Sequence, residues 1–128
     1  MRQHEQALLL LAKAAEDEAL LDEILESRRV SDAMVGFHLQ QAAEKLLKAV
    51  LSEVGAHFRR THNLRRLMDL LADNGCPVPD GLQDLDTLTP YAATLRYEIG
   101  TPPTALDRAE VREKLRRLRR WAGSHVSA

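Results

Sequence analysis

The stretch Ser31 to Gly55 carries two adjoining apolar rows at helical spacing, Val35, Leu39, Ala42, Leu46 and Val50 beside Ala43, Leu47, Leu51 and Val54. At ~3.6 residues per turn, two rows make a face too wide for a single neighbour, so this helix must be packed from more than one side. Gln40, Gln41, Glu44, Lys45, Lys48 and Ser52 fall on the remaining strip, which is expected to stay polar and solvated. Ser31 is placed to cap the helix start, its hydroxyl accepting a free backbone N–H, and Gly55 to end it in the left-handed conformation.

The rest of the chain reads as helices around this one. Residues 3 to about 28 predict a first helix with Leu8, Leu11, Ala12, Ala15 and Ala19 inward, joined to the central helix by a connection short enough to make the two antiparallel. After a loop holding His57, Arg59, Arg60 and His62, Asn63 caps a third helix to about Asn74, with Leu64, Leu67, Leu70 and Leu71 as its stripe. Asp80-x-x-Gln83 has the form of a capping box, and Leu82, Leu85, Leu88, Tyr91, Ala92 and Leu95 predict a fourth helix ending near Tyr97. Pro90 would either kink it or restart it, with Thr89 as cap. Thr104-x-x-Asp107 opens a last helix, with Val111, Leu115, Leu118 and Ala122 inward and Gly123 as its stop. No segment alternates as a strand does. The fold class is all-α, an up-and-down bundle of four long helices plus a short additional one, in a single domain over residues 1–128.

Charge and composition narrow the functional classes. One cysteine, Cys76, excludes an internal disulfide and a paired-cysteine zinc site, and no histidine and carboxylate spacing matches a metal-ligand pattern. The apolar run Ala7 to Ala12 is too short for a membrane span or a signal-peptide core, so the expected location is cytoplasmic. The net charge of −1 hides a gradient: −4 over residues 1–55, +3 over 56–128, and +5 within Arg108 to Arg120. That balance does not suit a general nucleic-acid coat, while leaving room for a local basic surface.

Phe37-His38-Leu39-Gln40-Gln41-Ala42-Ala43-Glu44-Lys45-Leu46-Leu47-Lys48-Ala49 resembles the signature helix of the HEPN domain family. Thr61-His62-Asn63-Leu64 and Leu88-Thr89-Pro90-Tyr91-Ala92, followed by Arg96-Tyr97, fall in the family's order, and the similarity spans roughly residues 7 to 122. The resemblance implies a homodimer, often encoded beside a minimal nucleotidyltransferase as a toxin–antitoxin pair. It also implies nucleotide or RNA binding or, in many members, metal-independent RNA cleavage by an arginine and a histidine four to six residues apart, paired across the dimer. No cofactor is implied. Arg96 stands at the arginine's place, but Tyr97 to Pro103 contain no histidine. Arginine can hold a phosphate but stays protonated, so proton transfer would need another group.

The residues themselves leave alternatives open. Arg96 and Tyr97 are either a cation and ring closing a helix or a phosphate contact. His38, Gln41, Lys45 and Lys48 share a helical face, which is either a solvated stripe supported by a Glu44–Lys48 pair or the polar floor of a dimer cleft. His38 and His62 are boundary or turn residues, or stand-ins for the missing histidine. Arg116, Arg117, Arg119 and Arg120 are a solvated face, a phosphate contact, or a contact to the acidic first helix of another chain. Trp121 is assigned to the core or to a dimer interface. Three functions follow: a nucleotide- or RNA-binding HEPN protein docking a nucleotidyltransferase, a metal-independent ribonuclease toxin, or a purely structural interaction module.

Overall fold

The computed structural model describes residues 2–93 and 105–126. Among these, every regular element is helical: α1 (Arg2–Ile24), α2 (Asp32–Glu53), α3 (Leu64–Asp73), a 3₁₀ helix (Asp80–Leu88) and α4 (Arg108–His125). This is the all-α bundle of four helices and a short extra one, built around α2, which packs against each of the others. α1 runs antiparallel to α2, with His4 at its start 2.8 Å from Glu53 at the end of α2.

The caps of α2 and α3 follow the local sequence. Ser31 Oγ accepts from the Met34 N–H and Asn63 Oδ1 from the Arg66 N–H, each satisfying a donor that the first helical turn leaves free. At the far ends Gly55 and Gly75 take φ of +75° and +79°. Gly55 N–H bonds the Ser52 carbonyl and Ala56 N–H the Leu51 carbonyl, and Gly75 and Cys76 repeat the pattern on Ala72 and Leu71. Both are Schellman endings, which favour glycine because they need a left-handed residue.

Both apolar rows of α2 are buried except Val54, which lies past the last turn and is exposed. The polar strip is less solvated than expected: Gln40, Glu44 and Ser52 are buried too. α1 departs further. Its buried line is Ala7, Ala14, Glu18 and Leu21, whereas Leu8, Ala12, Ala15 and Ala19 face outward and Leu11 is half-buried. A seven-residue spacing keeps a long helix in register with an antiparallel neighbour, and this line crosses a glutamate that hydropathy alone places outside. The helix also ends at Ile24, short of residue 28. There Arg108 accounts for the turn: its guanidinium donates to the carbonyls of Leu25, Ser27 and Val30 and to Asp32 Oδ1.

The fourth predicted helix is also different. Asp80 to Leu88 is 3₁₀, and no side chain caps it, so the Asp80-x-x-Gln83 box does not form. Gln83 instead donates to the Val78 carbonyl at 2.6 Å and accepts from Arg65 at 2.7 Å, tying this segment to α3. A turn at Thr89 and Pro90 precedes a fresh helical start at Tyr91, and Thr89 Oγ1 accepts from Leu64 N–H at the head of α3. Residues 94–104, which hold the expected end of that helix and Thr104, lie outside the described residues. α4 is capped by Asp107, whose carboxylate accepts from Glu110 N–H, and it continues through Gly123 to His125.

Candidate functional site

The polar side of α2 is organised by two carboxylates, and they divide the residues that the helical spacing had grouped together. Asp17 on α1 takes two of them, His38 Nδ1 at 3.1 Å and Lys45 Nζ at 2.5 Å. Glu44 on α2 itself takes the others. It accepts from Lys48 Nζ at 2.8 Å, from Gln40 Nε2 at 2.9 Å and from His62 Nδ1 at 2.8 Å. Gln40 also holds the His62 carbonyl at 3.0 Å, and Gln41 joins by donating to Gln40 Oε1 at 2.7 Å. His38 and Lys45 therefore belong to one cluster, and Gln41, Lys48 and His62 to the other. Arg96 and Tyr97 lie outside the described residues.

Glu44 is the deepest charge of the second cluster. Burial pushes its carboxyl up, but hydrogen bonds from Lys48, Gln40 and His62 outweigh that and hold it below its usual value. An ionised carboxylate only accepts, so the proton on the His62 ring facing it sits on Nδ1 and, in the neutral ring, Nε2 keeps its lone pair. His62 is half-exposed, with its side chain 52 % accessible against 7 % for Glu44. A buried acceptor thus fixes the tautomer and tilt of an imidazole at the surface, an arrangement able to accept a proton or bind an anion.

The loop that carries His62 adds charge. Arg59, Arg60 and Arg66 are exposed, with no ion-pair partner among the described residues. Arg65 differs, being committed to Asp86 at 2.8 Å and to Gln83. A cleft of about 360 Å³ opens beside the loop, lined by Phe58, Arg59, Thr61, Arg66 and Leu67 among others. Unpaired guanidiniums at the rim of a partly apolar hollow suit a phosphate ester. The sequence named the two loop arginines but attached no role to them. It also placed Glu44 only as a support for Lys48, a pairing that is present.

The basic α4 resolves into separate roles. Arg112 is buried and reaches Glu18 at 3.3 Å and Asp22 at 2.8 Å, while Arg119 bonds Glu18 and the Leu11 carbonyl. These arginines meet the acidic first helix of their own chain. Arg117 and Arg120 stay exposed, and Trp121 is half-buried against the core. No helix among the described residues is long and apolar enough to cross a membrane.

A family model for the HEPN domain matches residues 7–125. No curated protein and no solved structure matches.

Proposed function

Because the chain belongs to the HEPN domain family, we propose that it binds phosphate groups of RNA or of a nucleotide at the edge between α2 and α3. In this reading it acts as a homodimer beside a minimal nucleotidyltransferase, as one half of a toxin–antitoxin pair. One observation carries the reading: the surface imidazole of His62 is held by buried Glu44 and shares its loop with Arg59 and Arg60, which have no ion-pair partner among the described residues. Lys48 lies on the same carboxylate and supplies a further cation. Arg96, with Tyr97 beside it in sequence, is assigned a second phosphate contact. Lys45 and His38, both held by Asp17, are assigned to positioning the helix face.

The test is binding of a labelled single-stranded RNA by anisotropy, and of ATP by thermal shift, across a salt series. The Arg59→Ala/Arg60→Ala variant is expected to weaken RNA binding and to make the salt slope shallower by about one to two. A ligand bound only by the folded chain should also raise its melting temperature. Affinity and slope unchanged in that variant and in Arg96→Ala would overturn the reading.

A second reading, metal-independent RNA cleavage, is favoured by the Glu44–His62 pair. In it Nε2 of His62 takes the proton of a ribose 2′-hydroxyl. The freed oxygen attacks the adjacent phosphorus, the 5′ oxygen leaves with a proton from water, and a 2′,3′-cyclic phosphate remains. RNA degradation in EDTA that survives both His62→Ala and Glu44→Gln would rule this chemistry out.

A further inference from the structure

α1 presents an outer face that no other element among the described residues covers. Of the large apolar side chains that are exposed among the described residues, Leu8, Leu9 and Leu20 lie on α1 and Met34 lies close by at the head of α2. Leu9, at 57 %, is the most exposed of them. Leu9 and Leu20 are separated by eleven residues, close to three turns at ~3.6 residues each, so they stand in one row with Lys13 and Glu16 between them. Beyond Leu20 the surface dips into a groove of about 400 Å³, lined by Leu20, Ile24, Arg29, Val30, Met34 and His38 among others.

We infer that this row is where a second copy of the chain docks, antiparallel, about a twofold axis between Ala14 and Ala15. The inference rests on the homodimer in the proposed function and assigns its surface. The spacing of the row, four, three and four residues, is the same from either end, while its two charges exchange sign. Under that axis Leu9 of one copy meets Leu20 of the other at the mouth of the groove, and Lys13 meets Glu16. Glu5 arrives opposite Ile24, next to Arg28 and Arg29. Within the chain none of Glu5, Lys13, Glu16, Arg28 and Arg29 has an ion-pair partner among the described residues, so both signs are available for the contact.

Each apolar knob therefore meets an apolar hollow, and each charge meets its opposite, twice over, as a twofold interface requires. Ala12 and Ala19, exposed on the flank of the row, have side chains small enough to let the two helices approach. A partner of other composition has no such reason to match the spacing. The seam also brings the second copy alongside Asp17, His38 and Lys45, on the side of α2 where the polar clusters lie.

The test is sedimentation of the full chain across a concentration series, with circular dichroism to confirm that each variant is folded. The wild type is expected to be a dimer, and Leu9→Glu to raise its dissociation constant by roughly tenfold or more. Lys13→Glu and Glu16→Lys should each weaken the dimer, the double variant should restore it, and the two single variants mixed should prefer each other. A monomeric wild type overturns the homodimer itself, and this surface with it. A dimer that Leu9→Glu and both charge variants leave intact overturns the surface alone, and one weakened by Leu9→Glu but indifferent to the charge variants overturns the register.

Discussion

Glu44 shows how much a single residue decides in this chain. It is buried, a position in which an unpaired charge is costly, and its bonds to Lys48, Gln40 and His62 make it tolerable. Because the folded carboxyl sits below its usual value near 4.5, its contribution to stability is present above that pH and is lost as the pH falls through the folded value. Glu44→Gln should therefore lower stability near neutrality and flatten the fall in melting temperature below about pH 4.5, seen by calorimetry over an acid series. A variant with the same acid limb as the wild type would mean that the network does not hold the proton off. The pairing of Glu44 with Lys48 was legible, since four residues separate them on one helix. Its contact with His62, 18 residues away, was not, because no local rule relates a helix side chain to the loop that folds back on it.

At the scale of elements, signals that act within a few residues survived folding. Ser31 and Asn63 cap their helices, and Gly55 and Gly75 close them, because each bond in those motifs joins residues close together in the same segment. Signals that depended on a neighbouring element did not all survive. The Asp80-x-x-Gln83 box was lost when Arg65 of α3 and the Val78 carbonyl claimed Gln83. Gly36 is a position that no local sequence signal singles out. The Tyr91 ring lies against its backbone, and a Cβ added there would come within 2.3 Å of the ring. Gly36→Ala should raise helix propensity yet destabilise the fold by about 1 to 3 kcal/mol, since the ring must move out of a packed site. Chemical denaturation measures this, and a stabilised variant would show that the Tyr91 segment is not held on α2.

Across the whole molecule, α1 and α4 flank α2 and are bound together by charge. Arg112 is buried between Glu18 and Asp22, and Arg119, about two turns further along α4, shares Glu18. Arg112→Ala should cost about 3 kcal/mol, near the lower end for breaking a buried pair because Arg119 still serves Glu18, whereas the exposed Arg120→Ala should fall within about 0.5 kcal/mol. Equal effects in urea denaturation would mean that α4 is not fastened to α1 through this arginine. By itself the sequence determined that the chain is helical, which helix is central, where α2 and α3 are capped, and that it resembles HEPN proteins, for these are written in spacing along one segment. Only the tertiary structure decided which face of α1 turns inward, that Glu18 and Glu44 are buried, and that His38 and His62 serve different carboxylates. Each of those depends on a partner supplied by another element, and a buried charge differs from a solvated one only by the company it keeps.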